Sequence, residues 1–171
     1  MGAAGKTVAP AGPRRRLKLR VIAFGQRLPA WVSAGWDEYA RRLPREWGLE
    51  LIELKPEPRD RGRPVAHMLA AEAQRARAAC RDARMIALDE RGVPWTTRAL
   101  ADALSRHATA GDDLAFVIGS ADGLDPALKR EASAVVALSA LTLPHALVRI
   151  LLVEQLYRAG TLLAGHPYHR E

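Results

Sequence analysis

Five short apolar segments alternate with helical patterns along this 171-residue chain, and this alternation limits the possible fold more than any other feature. The apolar segments cover residues 17–24, 49–54, 84–89, 114–118 and 135–138. The stretches between them are rich in alanine or repeat apolar residues at three- and four-residue spacing, as helices do. Strands that alternate with helices form a largely parallel sheet covered by helices, so we predict a single-domain α/β fold.

Proline and capping residues predict where the helices begin and end. Pro29 opens the first helix and Pro44 stops it, while Asp125 caps a short helix that has Pro126 at its first position. Three further helices are predicted at 65–83, from a cap at Thr96 or Thr97 to about His107, and from near Pro144 to about Leu163. The third strand is expected to end at Asp89, followed by a turn over 91–94.

The positive charge of the chain is concentrated at its N-terminus. The formal net charge is +7. The first 20 residues hold no acidic group, and their six cations are Lys6, Arg14, Arg15, Arg16, Lys18 and Arg20. The rest of the chain is nearly neutral, so its charge alone does not indicate a nucleic-acid partner. Residues 1–16 predict a disordered basic extension, and residues 17–171 a single domain.

Several classes of protein are disfavoured by composition and motifs. No apolar run reaches the roughly 18 residues of a membrane helix, no secretory signal is present, and the single cysteine, Cys80, predicts a core residue of a cytoplasmic protein. Gly119 and Gly123 lack the third glycine of a dinucleotide fingerprint. His166 and His169 have HxxH spacing, but intervening Pro167 prevents helical geometry, so we expect no metal.

The ends of three predicted strands mark the expected binding site, because ligands of open parallel sheets bind at the carboxyl ends of the strands. The site then lies in the loops after Leu88, Ile118 and Leu138. The loop over 138–143 is unusually apolar, which predicts either a buried crossover or a pocket whose leucines enclose a flat heterocycle. In both cases Ser139 and Thr142 are expected to bond to the local backbone.

The C-terminal part of the chain has the highest density of reactive side chains. Arg149 lies among apolar residues of the final helix, which favours a functional or interface role, whereas Glu154 and Arg158 have the spacing of a surface ion pair. The tail from His166 to Glu171 holds two imidazoles, a phenol, a guanidinium and a carboxylate, and we expect it to contact a ligand.

Four segments resemble one known family. They are VIAFGQRLPAWVSAGWDEYARRLP, ALDERGVPW, FVIGSADGL and a C-terminal block, LSALTLPHALVRILLVEQLYRA with HPYHRE. From about Leu17 to Glu171 the chain is similar to the RlmH-type SPOUT methyltransferases. The resemblance implies a Rossmann-like parallel sheet with a C-terminal trefoil knot, a homodimer, and methylation at N3 of a pseudouridine in helix 69 of 23S rRNA, on the large subunit or the 70S ribosome.

The same resemblance implies a site for S-adenosylmethionine and a role for the tail. The cofactor residues carried over are Leu88, Gly119, Leu138, Ser139, Ala140, Leu141, Thr142 and Leu143. Tyr168, His169 and Arg170 would meet the substrate across the dimer interface. Ser120 departs from the family, which usually has a second glycine there, and this change is expected to affect the methionine end of the cofactor.

The expected reaction is an in-line methyl transfer, which depends mainly on alignment of donor and acceptor. The N3 proton of the base must leave, so His169 or Tyr168 is predicted to assist, and Arg170 to hold a phosphate or the developing imidate oxygen. Two alternatives stay open. One is a SPOUT methyltransferase of tRNA or of a ribose 2′-hydroxyl; the other is a non-catalytic ribosome-assembly factor.

Overall fold

A five-stranded sheet forms the centre of the computed structural model, which describes residues 17–26, 28–59 and 62–169. Its strands are β1 (Leu19–Phe24), β2 (Glu50–Leu54), β3 (Arg84–Pro94), β4 (Leu114–Ile118) and β5 (Ala134–Ala137). Their order is β2-β1-β4-β3-β5, and every pairing is parallel, which confirms the predicted α/β fold. The basic extension predicted for residues 1–16 lies outside the described residues.

Helices cover both faces of the sheet. They are α1 (Ala30–Ala40), α2 (Val65–Cys80), α3 (Thr97–Ala110), α4 (Pro126–Glu131) and α5 (His145–Leu163), with short 3-10 turns at Arg45–Trp47 and Pro167–His169. On β1, Val21 packs in the core beneath α1, α3 and α5, whereas its neighbour Ile22 packs in the core beneath α2 and α4. Because the strand is buried on both faces, its sequence is continuously apolar from Val21 to Phe24.

The predicted helix starts are confirmed, but the ends of α1, α2 and α3 each lie about three residues from the predicted ones. Thr96 caps α3 by accepting a hydrogen bond from the Ala99 N–H at 3.1 Å. Helix α2 ends at Cys80 and not at Ala83, because Arg81 adopts a positive φ of 53° that a helix does not continue through. Cys80 is a buried core residue as predicted, and burial raises the pKa of its thiol to about 11.

The predicted turn over 91–94 is wrong, because β3 continues to Pro94. Leu88 and Val93 both pair with Val136, so the residues between them form a bulge that returns the chain to β5. A Cβ on Gly92 would lie 2.6 Å from the Val136 carbonyl carbon and 2.7 Å from its nitrogen. Only glycine permits this approach of two backbones. The trefoil knot itself stays a prediction.

Candidate functional site

An open cleft of about 630 Å³ lies at the carboxyl ends of β3, β4 and β5. Of the eight residues predicted to hold a cofactor, seven line this cleft: Leu88, Gly119, Leu138, Ser139, Leu141, Thr142 and Leu143. The eighth, Ala140, is exposed and is not among the lining residues. The structure thus brings three distant chain segments together at one edge of the sheet, while their cofactor role stays a prediction.

The loop after β4 forms a compact turn at the floor of the cleft. The Gly123 N–H donates a hydrogen bond to the Ser120 carbonyl at 2.9 Å. A Cβ on Gly119 would lie 2.5 Å from the Gly123 carbonyl oxygen, so no larger residue fits there. Ser120 is 9% exposed, and within the described part of the chain its hydroxyl has no hydrogen-bond partner. A buried hydroxyl without a partner is unusual and is well suited to a ligand.

The loop over 138–144 forms the rim of the cleft. Leu141 is 73% exposed, so the expectation of a buried crossover is wrong. Ser139 accepts a hydrogen bond from the Leu141 N–H at 2.9 Å, which confirms its predicted backbone contact. Thr142 instead donates to the Glu90 carboxylate at 2.8 Å, so the backbone role predicted for it is wrong. This bond joins the rim loop to the β3 bulge.

Charged pairs border the same cleft. Lys129 donates to Asp89 at 2.8 Å, and Arg59 donates through Nε and Nη2 to one oxygen of Asp122 at 2.8 and 2.6 Å. Burial alone would raise the pKa of Asp89, but hydrogen bonds from Lys129 and from the Arg91 N–H hold it below its usual range. Asp89 therefore presents an ionised carboxylate beside the apolar floor.

His145, which the sequence reasoning missed, starts α5 and lines the cleft. Burial lowers the pKa of its imidazole, and the nearby positive charges of Arg149 and Arg59 lower it further. At neutral pH the ring is consequently neutral and offers one donor and one acceptor. The available signal was its position directly after Pro144, where a helix starts beside a predicted strand-end loop.

Arg149 is fully buried, with 1% of its surface exposed. Its Nη1 pairs with Glu53 at 2.5 Å, and its Nη2 donates to the Gly25 carbonyl at 2.8 Å and to the Phe24 carbonyl at 3.3 Å. The interface role expected for Arg149 is wrong, because the side chain lies inside the protomer. It ties the first turns of α5 to the end of β1.

Tyr168 packs against the outer part of α5. Its hydroxyl donates to Glu154 at 3.4 Å, and its ring centroid lies 4.7 Å from that of Tyr157. The predicted Glu154–Arg158 pair is confirmed at 2.9 Å, although it is half-buried and not at the surface. Burial, followed by the charge of Glu154, raises the pKa of Tyr168, so its phenol stays protonated. The His169 side chain and Arg170 lie outside the described residues.

Tyr168 and the cleft are well separated within the chain. Tyr168 does not line the cleft, whereas His145 at the start of α5 does. Among the residues that contact Tyr168 are Glu154 and Arg158, which follow His145 by nine and thirteen residues. At 1.5 Å per residue this is about 14–20 Å along the helix. Within the chain, Tyr168 therefore does not reach the cleft.

Two negative observations concern the described residues alone. No helix among them is both long and apolar enough to cross a bilayer. In the same ranges, no group of three or more metal-ligating side chains gathers. The expected absence of a metal stays a prediction.

Residues 17–169 match the family model described as "Predicted SPOUT methyltransferase". The chain belongs to the SPOUT methyltransferase family. Among its SPOUT relatives, the protein named "Ribosomal RNA large subunit methyltransferase H" from Nitrosospira multiformis is 56% identical over 90% of this chain and 99% of its own length. The protein of that name from Paraburkholderia xenovorans is 54% identical over the same shares.

A solved structure shares the fold of this SPOUT protein. It is a probable methyltransferase from Bordetella pertussis, with a TM-score of 0.57 over 85% of this chain and 95% of that one. At 20% sequence identity this likeness concerns the fold alone.

Proposed function

We propose that this SPOUT methyltransferase transfers a methyl group from S-adenosylmethionine to N3 of a pseudouridine in helix 69 of 23S rRNA. Relatives more than half identical over nearly their whole length are named as methyltransferases of the large-subunit ribosomal RNA. The choice of this nucleotide and of its N3 atom rests on the resemblance of the C-terminal block to RlmH-type enzymes. The observation that carries the proposal is the cleft, because it gathers seven of the eight expected cofactor residues.

The cleft fits a nucleoside with a charged tail. Its volume of about 630 Å³ is within the usual range for small-molecule sites. Leu88 and Leu138 provide apolar contacts for the faces of a purine, while the unpartnered Ser120 hydroxyl suits the polar methionine end. The Asp89 carboxylate, which Lys129 already pairs at 2.8 Å, adds a polar group to the same cleft. When bound, S-adenosylmethionine supplies a methyl group that its sulfonium charge has already activated.

The residues of the chain align the reactants and manage one proton. The cleft walls hold the donor within attacking distance of the base. The raised pKa of Tyr168 suits a phenol that donates a hydrogen bond or stacks on the base, rather than one that removes a proton. We assign proton removal from N3 to His169, and contact with a phosphate or the imidate oxygen to Arg170.

We further propose a homodimer in which each tail serves the cleft of the other protomer. Tyr168 is held along α5, away from the cleft of its own chain. Apolar side chains stand exposed on the two helices that pack together through Gly35 and Ile150. They are Trp31 of α1 and Leu147 and Leu151 of α5, at 53%, 38% and 39% exposure. A second copy would cover them and bring its tail across.

Contact with ribosomal RNA places the enzyme in the cytoplasm in this proposal. The nearly neutral body implies that RNA shape supplies much of the affinity, with Arg14, Arg15 and Arg16 of the extension adding phosphate contacts. Removal of residues 1–16 should then reduce the salt dependence of ribosome binding. An unchanged slope would exclude the extension from the interface.

The decisive experiment is a methyl-transfer assay on purified large subunits and on 70S ribosomes, with the product mapped by mass spectrometry. We expect one methyl group on N3 of a helix 69 pseudouridine. A product in tRNA or on a ribose 2′-oxygen would support a different SPOUT activity instead. No product, together with no cofactor binding in calorimetry, would support a non-catalytic assembly factor.

A further inference from the structure

We propose that Tyr157, Glu154 and Arg158 form a socket on α5 that positions the C-terminal tail for catalysis. This inference rests on the proposed function, because it concerns a tail whose next residues, His169 and Arg170, are proposed to meet the RNA. The socket residues touch Tyr168 and not the cleft. They are therefore positioning residues that act through the tail.

Three contacts hold different parts of the Tyr168 side chain. The rings of Tyr157 and Tyr168 meet at 4.7 Å with their planes inclined by 59°, close to an edge-to-face arrangement. The Arg158 guanidinium lies over the Tyr168 ring at 5.0 Å, and the hydroxyl donates to Glu154 at 3.4 Å. Tyr157 contacts the Tyr168 ring from one side, Arg158 covers its face, and Glu154 accepts from its hydroxyl. Together these contacts fix both the position and the orientation of the ring.

The socket is itself supported by neighbouring side chains. The Glu154 carboxylate accepts hydrogen bonds from Arg158 at 2.9 Å and from Gln155 at 2.6 Å. From α1, the Tyr39 ring lies 6.4 Å from that of Tyr157. Arg42, just after α1, places its guanidinium 5.5 Å from the centroid of the Tyr39 ring and 5.8 Å from that of the Tyr157 ring. A supported side chain holds a site more precisely than one left free.

The consequence for the reaction follows from the reach of the chain. His169 and Arg170 follow Tyr168 within two residues, and two extended residues span at most about 7 Å. Their reactive groups therefore work within a small radius of the socket. A tail that left the socket would sample many positions, and the advantage of a preorganised group would be lost.

The test compares Tyr157→Ala with Tyr157→Phe, which keeps the ring. We expect Tyr157→Ala to lower the single-turnover rate of methyl transfer to ribosomes at least about tenfold, equivalent to about 1.4 kcal/mol. Cofactor affinity in calorimetry should change much less than the rate. Hydrogen exchange of the tail amides should become faster, and Tyr157→Phe should restore both the rate and the protection.

Glu154→Gln is a second variant that keeps the side-chain shape should Tyr157→Ala fold poorly. It should loosen the tail and slow transfer in the same direction, by a smaller factor. Transfer at the wild-type rate by a folded variant, or a slower rate with unaltered tail exchange, would overturn the positioning role. A wild-type protein that methylates no ribosomal RNA would overturn the proposed function, and the positioning role with it.

Discussion

Two adjacent residues set the character of the cleft floor. Gly119 leaves no space for a side chain, because the Gly123 carbonyl would lie 2.5 Å from its Cβ. Ser120 next to it is buried, and its hydroxyl has no partner within the described ranges. Its backbone does not adopt the positive φ that would require glycine. Serine is therefore accommodated where the family usually has glycine. We predict that its hydroxyl adds a polar contact for the cofactor, and its backbone conformation does not strain the loop.

Substitution of Gly119 should disrupt the cleft more than the fold. In Gly119→Ala the added methyl group must displace the Gly123 backbone, at a cost of about 1–3 kcal/mol. We expect the calorimetric affinity for S-adenosylmethionine to fall roughly tenfold or more. Ala110→Ser, at an exposed position at the end of α3 and away from the cleft, is the control and should bind normally. Equal affinities in the two variants would contradict the assigned role of Gly119.

Protonation of His145 should weaken both cofactor binding and folding. Its pKa is lowered from the ordinary value of 6.5, so the unfolded chain binds the proton more readily, and stability falls as the pH drops below that value. The added charge also repels a sulfonium in the same cleft. We expect calorimetric affinity to decline between about pH 6.5 and pH 5.

The matching control for that titration is His145→Gln, which cannot protonate. Its affinity should vary less with pH than that of the wild-type protein over the same range. A variant whose affinity declines as steeply as the wild type would assign the titration to another group.

At the scale of elements, α5 connects the parts of the site. Its first turn brings His145 to the cleft, its second turn is tied to β1 through Arg149, and its outer half carries the contacts to Tyr168. The β3 bulge has a comparable role, since Gly92 lets it pack on β5 and Glu90 then bonds to the rim loop. A change in either element should therefore reach the cleft.

Removal of the Arg149 clamp, which is the set of contacts from Arg149 to Glu53 and to the Gly25 and Phe24 carbonyls, should destabilise the fold. Arg149→Met fills similar volume but leaves the Gly25 carbonyl and the Glu53 carboxylate without their partner. We expect the free energy of unfolding in urea to fall by about 2–3 kcal/mol, a value reduced because Glu53 is partly exposed. Arg106→Met on the exposed side of α3 should stay within about 0.5 kcal/mol of the wild type. Equal stabilities would show that the clamp is dispensable.

At the scale of the whole molecule, we propose that a single chain does not hold the complete site. The cleft lies at one edge of the sheet, while Tyr168 lies on the outer part of α5. The exposed apolar residues of α1 and α5 provide the surface on which a second copy would complete it. Dimerisation is in this view a requirement for catalysis and not for folding.

A charge on that surface should separate the protomers. Leu151→Arg is expected to give a folded monomer in sedimentation experiments, with at least about a hundredfold loss of methyl transfer because each tail loses its cleft. Val65→Arg places the same charge on an exposed apolar position of α2, on the other face of the sheet, and should leave the dimer intact. A monomeric Leu151→Arg variant with full activity would contradict the shared site.

Local signals were enough to predict the sheet, the starts of the five helices, and the loops that form the cleft. The reason is that strand burial, the Thr96 and Asp125 caps and the proline starts each act over a few residues. The family likewise followed from contiguous segments of sequence. These features do not depend on which distant residues meet.

Apart from the end of α2, which the backbone of Arg81 sets locally, the main errors and omissions involve contacts between distant residues. The turn signal around Gly92 reflects its close approach to Val136, 44 positions later, and the buried Arg149 depends on carbonyls at the end of β1. The depressed pKa of His145 and the place of Tyr168 beside Tyr157 also arise only when the elements pack. The sequence by itself determined which loops form the cleft, because the apolar pattern of buried strands is visible in the chain. The tertiary structure alone decided which charges surround the cleft and where Tyr168 is held, because pairing between distant side chains leaves no periodic trace.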